Sequence, residues 1–179
     1  MPRKLRAATL DEQDALETLI ARSARELGAR DYTSQQIEGA LRGAFGVDSQ
    51  LIRDGTYFVV EEDGQIIGCG GWSYRRTLFG GDSRSERDAA ELDPRTEAAK
   101  IRAFFVDPAH ARTGIGRAIL ERCEAEARAH GFSRFELMAT LSGARLYISH
   151  GYIRGLSVQH ELPGGLTIEL IPMSKSALA

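Results

Sequence analysis

An α/β domain with a mixed, mostly antiparallel sheet is the fold class the sequence predicts, and three stretches predict it. The first runs from Ala99 to Gly131: an apolar strand, a loop with two glycines, then an amphipathic helix. The second, Tyr57 to Ser73, holds two β-rich runs joined across Glu62-Asp63-Gly64, and an Asp-Gly step between such runs favours a tight hairpin. The third, Ser157 to Ile171, reads as another hairpin around Pro163-Gly164-Gly165. A length of 179 residues suits one domain, over 1–179, with a sizeable core.

Composition narrows the partners. With 23 Lys+Arg against 25 Asp+Glu the net charge is −2, which points to neither a nucleic acid nor a membrane surface. No run is apolar and long enough to span a bilayer, and Met1-Pro2-Arg3-Lys4 leads into no signal-peptide core. Cys69 and Cys123 are the only cysteines and lie far apart, with no Cys/His clustering. A cytoplasmic location and no metal are therefore expected.

In chain order, Leu5 to Thr9 reads as a short strand, after which Thr9 and Glu12 have the spacing of a capping box. The helix that follows carries Leu16, Leu19, Ile20 and Leu27 at helical spacing. Thr33 and Gln36 repeat the box for a second helix through Ile37 and Leu41 to about Phe45. In the first hairpin, the glycines flanking Cys69 weaken a strand and predict a bulge or a close approach. Cys69, with no neighbouring His in sequence, reads as a small core residue rather than a nucleophile. The polar, charge-dense segment 75–98 is too long for a simple connection. Either it is a solvated surface loop, or Leu78 and Phe79 make it a lid that swings on Gly80 and Gly81.

The central stretch carries the chemistry. Ile101 to Val106 is strand-like, and Asp107-Pro108 stops it because proline has no N–H for a ladder. From Ile115 the positions Ala118, Ile119, Cys123 and Ala127 face inward, while Glu121, Glu124, Glu126 and Arg128 face outward. Glu124 and Arg128 are spaced to pair, and Gly131 supplies a left-handed stop. The first turn of such a helix leaves N–H groups without partners at the positive end of the macrodipole, and Gly114 and Gly116 clear side chains from the approach. An anion site follows, with a ligand-free glycine turn as the alternative. A Walker-type loop is disfavoured because Arg117 and Ala118 follow Gly116, and a dinucleotide fingerprint because Ile119 stands where a small residue is needed. Phe135 to Ala139 reads as the next strand, and Ser142 as the cap of a short helix ending before Gly151.

Phe104, Val106, Pro108, Gly114 and Gly116 resemble the pyrophosphate-binding signature of the GNAT superfamily of acyl-CoA N-acyltransferases, a strand L-x-V-x-P followed by R/Q-x-x-G-x-G/A. Ala111 departs from it, standing where Arg or Gln is usual. Gly143, Leu146, Tyr147, Gly151 and Tyr152 resemble the family's next motif, with Thr140 where asparagine is common. The two motifs come in the right order, and the rest of the chain agrees with them.

That resemblance implies a sheet of roughly six or seven strands, splayed at the acyl-CoA site and flanked by about four helices. It implies acetyl-CoA as co-substrate, its pantetheine on Phe104, Phe105 and Val106, and its pyrophosphate on Arg112, Thr113, Gly114, Ile115, Gly116 and Arg117. Thr140 and Ser142 would complete the cofactor site. Tyr147 would be the acid for the leaving thiolate, in a direct transfer to a primary amine of a small molecule or peptide. The first two helices would flank the acceptor groove, and a homodimer is compatible with the family. A non-catalytic acyl-CoA sensor and a protein N-terminal or lysine acetyltransferase are the competing functions. No base stands out. Lys100 lies near the place where some relatives carry a glutamate, Glu61, Glu91, Glu97, Asp82 and His160 qualify by type alone, and ordered water serves as well.

Overall fold

A computed structural model describes residues 2–84 and 87–176. In chain order the elements are β1 (Lys4–Ala7), α1 (Gln13–Leu27), α2 (Ser34–Ala40), α3 (Ser49–Arg53), β2 (Tyr57–Glu62) and β3 (Gln65–Ser73). Then follow β4 (Ala99–Val106), α4 (Ile115–Ala129), β5 (Arg134–Ala139), α5 (Ala144–Ser149), β6 (Ile153–Arg154), β7 (Val158–Glu161) and β8 (Thr167–Ser176). The strands form one sheet in the order β1-β2-β3-β4-β5-β8-β6, with β7 also paired to β8. All of its pairs are antiparallel except β4 with β5. The mixed, mostly antiparallel sheet is as expected. It has eight strands, the additional short one being the two-residue β6.

Each face of the sheet carries its own core. On one face α4 and α5 cover Phe58, Ile67, Trp72, Ile101, Phe135 and Leu137. On the other, α1, α2 and α3 cover Tyr57, Val59, Cys69, Ile168 and Leu170. The strand pattern accounts for this, since successive side chains of a strand point to opposite faces.

Local chemistry decided most element ends. The Asp63-Gly64 turn has both residues at positive φ, 51° and 77°, as a tight hairpin requires. The box at Thr33 forms, with Gln36 N–H donating to Thr33 Oγ1 at 3.1 Å and the Gln36 side chain accepting from Thr33 N–H at 2.8 Å. That helix stops at Ala40, short of Phe45, and a run of turns leads to an unforeseen α3 whose start is capped by Asp48.

The box at Thr9 does not form. Its hydroxyl donates to the carboxylates of Asp11 and Glu12, Arg6 holds Glu12 at 2.8 Å, and a 3-10 turn over Leu10–Glu12 delays α1 to Gln13. On α4, Ala118 faces solvent and Leu120 is buried. Glu124, expected on the wet face, is buried. It accepts from Tyr152 Oη at 2.8 Å, Lys175 Nζ at 2.9 Å and Arg128 at 3.2 Å. The long β8 brings Lys175 there, which helical spacing alone had no means of announcing.

Candidate active site

The site begins where β4 leaves β5. These parallel strands pair only at Ala99↔Phe135 and Lys100↔Glu136, although β4 continues to Val106 and β5 to Ala139. Beyond Lys100 each strand keeps its other neighbour: β4 pairs β3 through Val106, and β5 pairs β8 through Ala139. The two inner edges therefore face a gap and present unpaired backbone groups. Phe104, Phe105 and Val106 lie along it.

A bulge marks the start of the gap. The β3–β4 register slips between Cys69 and Gly71, and Ala103 takes φ 54°, a left-handed conformation that an alanine adopts only when its surroundings impose it. Tyr57 braces it from the face covered by α1, α2 and α3, donating its hydroxyl to the Ala103 carbonyl at 2.8 Å. The glycines around Cys69 serve close approach as well. A Cβ on Gly70 would stand 2.6 Å from the Phe104 ring, and one on Gly68 would stand 2.3 Å from Ile115. Phe104 and the start of α4 can thus lie against β3.

Past β4, the loop from Arg112 to Arg117 leaves its donors unused. Arg112 has φ 61° and Gly114, the N-cap of α4, has φ 89° with open space where a Cβ would be. Ala118 N–H is the first to close the helix, onto Gly114 O at 3.0 Å. Among the described residues no acceptor serves the N–H groups of Arg112, Thr113, Gly114, Ile115, Gly116 or Arg117. A row of free N–H groups at the positive end of a 15-residue helix is an anion cradle. The loop is braced from behind by Thr113 Oγ1 on His110 O (2.6 Å) and by Arg3 on Thr113 O (2.9 Å). Arg117 instead pairs with Glu121 along the helix.

Tyr147, on α5, meets the same gap. Its ring lies edge-on to Phe104, with centroids 6.0 Å apart, and to Tyr152 at 5.7 Å. Its hydroxyl bonds to no described residue. Burial, with a smaller push from Cys123, raises its pKa well above the ordinary tyrosine value. Thr140 rather than Ser142 holds the start of α5, its Oγ1 accepting from Gly143 N–H at 3.0 Å, while Ser142 is exposed. The backbone requires this, because Thr140 sits three residues before the N–H that needs an acceptor.

The base candidates scatter. Glu61 pairs with Arg6, Glu97 accepts from Asp93 N–H, Glu91 is exposed, and Lys100 pairs with Glu136 across the last β4–β5 pair at 2.8 Å. His160 lies at the edge of Phe79. Asp82 accepts from Ser49 N–H and Oγ, both at 3.1 Å. Cys69 is fully buried and its thiol is pushed up to about 12 by that burial, so it carries no thiolate at neutral pH. Among the described residues no three His, Cys, Asp or Glu side chains are grouped to hold a metal ion.

One residue escaped sequence reasoning. Arg102, 2% exposed, faces α3 from β4. Its Nη2 bonds Asp48 at 3.1 Å and Gly80 O at 2.7 Å, and its Nη1 bonds Thr77 O at 3.3 Å. Its buried Nε has no partner among the described residues. The signal was there: a guanidinium inside an otherwise apolar run, Ile101 to Val106, must be paired or functional.

The geometry can now be set beside known proteins. The family profile described as Acetyltransferase (GNAT) family matches residues 18–152. No curated protein matches the sequence. Among solved structures, a GCN5-related N-acetyltransferase from Rhodopseudomonas palustris aligns over 98% of this chain and 96% of its own, with TM-score 0.72 and 16% identity. PaiA N-acetyltransferase from Thermoplasma acidophilum, solved in complex with coenzyme A, aligns over 98% and 99% with TM-score 0.63 and 13% identity. A polyamine N-acetyltransferase from Drosophila melanogaster, which catalyses formation of N-acetylagmatine, aligns over 98% and 100% with TM-score 0.62 and 14% identity. At such identities the likeness is one of fold.

Proposed function

The chain belongs to the acetyltransferase (GNAT) family, and from that premise we propose that it moves an acetyl group from acetyl-CoA directly to a primary amine of a small molecule or peptide. The observation that carries this reading is the unused row of N–H groups from Arg112 to Arg117, opening beside the gap between β4 and β5. The pyrophosphate of acetyl-CoA fits the row, where helix polarity and free donors both favour an anion. The pantetheine arm then runs along the unpaired edge of Phe104, Phe105 and Val106, using backbone groups as a neighbouring strand would. Thr140 and Ser142 border its far side at the end of β5.

The chemistry follows from that placement. The amine must arrive as its free base, a small fraction at neutral pH for an alkylamine of pKa ~10.4. Its lone pair attacks the thioester carbon, a tetrahedral oxyanion forms, and the C–S bond breaks as the oxyanion collapses. The nitrogen loses its proton to water, leaving an amide and the CoA thiolate. Tyr147 donates a hydrogen bond to sulfur as negative charge develops there, an interaction stronger in the transition state than in the thioester. Its raised pKa suits a donor that keeps its proton throughout. The thiolate, of parent pKa near ~8.5, then takes a proton from solvent, which returns the one lost by nitrogen, so Tyr147 acts here as a hydrogen-bond donor to sulfur in place of the proton-losing acid first expected.

The test combines binding and turnover. Acetyl-CoA raises the melting temperature of the full chain, and free thiol appears only when acetyl-CoA and a suitable amine are both present. Absence of acetyl-CoA binding at millimolar concentration overturns the reading. Acetylation of a peptide N-terminus in preference to every small amine places the acceptor among peptides.

A further inference from the structure

Arg102 lies two residues past the last β4–β5 pair and immediately before the bulge at Ala103. On the reading above, a pantetheine arm descending β4 from Val106 to Phe104 brings its thioester to this bulge. Arg102 is therefore the next residue down the strand from the reacting atoms, on the face covered by α3.

A cleft of about 390 Å³ opens there, lined by Arg75, Arg87 and Arg102 together with Asp48, Ser73 and Thr77. Its carboxylates are already engaged. Asp48 holds Arg102 at 3.1 Å and Arg87 at 2.9 Å. Asp82, which also lines the cleft, caps α3 through Ser49. Arg75 is held by Asp54 in a two-point pair at 2.7 and 2.9 Å.

Asp82 keeps Oδ2 toward solvent, and beside it guanidinium donors remain unengaged. The buried Nε of Arg102 has no acceptor, and Arg87 uses only its Nη1 toward described residues. A guanidinium N–H shut away from water calls for an acceptor, and the planar fork matches carboxylate and phosphate oxygens.

We propose that this cleft holds an anionic group of the acceptor, a carboxylate or phosphate, so that the acceptor is an acid-bearing amine and not a polyamine. The proposal rests on the N-acetyltransferase reading. A cleft that presents guanidinium donors repels a second ammonium group, in contrast with the polyamine-acting structural neighbour from Drosophila melanogaster. Anchoring the acid end also fixes the amine relative to the thioester, which turns an encounter into an oriented attack.

Two measurements on the full chain test it. The first is thermal melting with succinate or inorganic phosphate against sodium chloride of equal ionic strength. Saturable stabilisation by the oxyanions is expected, weakened at least fivefold in apparent affinity by Arg87→Gln and by Arg102→Lys. The lysine keeps a charge for Asp48 but lacks Nε. If Arg102→Lys fails to fold, the surface change Arg87→Gln still decides. No stabilisation beyond that of chloride overturns the proposal.

The second compares thiol release from acetyl-CoA with matched amines: 4-aminobutyrate against butylamine, O-phosphoethanolamine against ethanolamine, and putrescine. At least a tenfold advantage in kcat/KM for an acid-bearing member is expected, reduced in Arg87→Gln through KM while acetyl-CoA affinity stays unchanged. Oxyanion binding without that advantage, or turnover of none of these amines, overturns the acceptor assignment and marks a site for a free anion. Putrescine as the best substrate overturns it too. Failure of acetyl-CoA itself to bind overturns the parent reading and leaves the oxyanion measurement standing.

Discussion

Two irregular segments border β4, and they use their hydrogen-bonding groups in opposite ways. The short one, Arg112 to Arg117, leaves six successive N–H groups without an acceptor among the described residues. The long one, 75–98, has many of its described residues engaged. Arg76 N–H reaches Ala90 O, Leu92 N–H reaches Tyr74 O, and Thr77 Oγ1 donates to Asp88 O while accepting from Asp88 N–H. Gly81 N–H reaches Gly43 O, and Gly81 packs so closely on Gly46 that an added Cβ would stand 2.7 Å from it. Phe79, the residue expected to swing, packs against the α1–α3 core and edge-on to His160. Backbone so engaged is part of the scaffold, with the Arg87 side chain left over for the cleft. A loop with its donors free is open to an anion, which is the reading proposed for Arg112 to Arg117.

Breaking the scaffold should cost the most. Arg102→Met takes one of two arginines from the Asp48 carboxylate, 4% exposed, leaving it Arg87 and the Gln50 N–H, and frees the carbonyls of Thr77 and Gly80. Breaking a buried pair costs about 3–5 kcal/mol when the remaining charge has no other partner, so with Arg87 still on Asp48 urea unfolding should show a loss toward the lower end of that range. A loss under 1 kcal/mol would mean that 75–98 is held by other contacts.

At the glycine loop the effect should fall on ligand instead of fold. A ligand at a hundredfold its dissociation constant stabilises by about 2.7 kcal/mol, and Gly116→Glu should abolish that gain from acetyl-CoA. The unliganded variant should keep its stability within about 1 kcal/mol. The new Cβ meets only the tip of Leu146, at 3.0 Å. Melting curves with and without acetyl-CoA separate the two outcomes, and an undiminished shift removes the pyrophosphate from this loop.

Tyr147→Phe should be smaller again. One hydrogen bond to a charged sulfur is worth about 1.5–3 kcal/mol, so kcat should drop about ten- to a hundredfold with acetyl-CoA affinity unchanged. An equal rate under single-turnover conditions would reduce Tyr147 to a packing partner of Phe104.

The smallest effect at neutral pH, and next to none below about pH 7.5, concerns buried hydroxyls and thiols on both faces. Burial raises Tyr32 and Cys69 to about 12, and raises Tyr57, Tyr147, Tyr152 and Cys123 as well. The folded state thus holds these protons more tightly than the unfolded state does. Stability is fully present below the unfolded values, ~8.5 for thiols and ~10 for tyrosines, and falls as pH rises through the folded ones. Urea midpoints should be flat from about pH 6 to 7.5, begin to fall near pH 8 to 9 as unfolded thiols ionise, and fall more steeply above about 10 as tyrosines join. A constant midpoint to pH 11 would contradict the burial of these groups.

The sequence by itself determined the hairpin at Asp63-Gly64, the box at Thr33, the β4–loop–α4 unit and the motif order through Tyr152, because each is written in neighbouring residues. Turn geometry, capping and amphipathic period act within a few positions of the chain, so they are legible without a fold. Only the tertiary structure decided that Glu124 is buried, since Tyr152 and Lys175 reach it from the turn between α5 and β6 and from β8. It alone put Asp48 against Arg102, residues separated by 54 positions. It also anchored 75–98 through carbonyls that any sequence would possess. Pairings across such distances depend on how two faces of a sheet are covered, and a one-dimensional pattern records which residues want burial without recording beside whom.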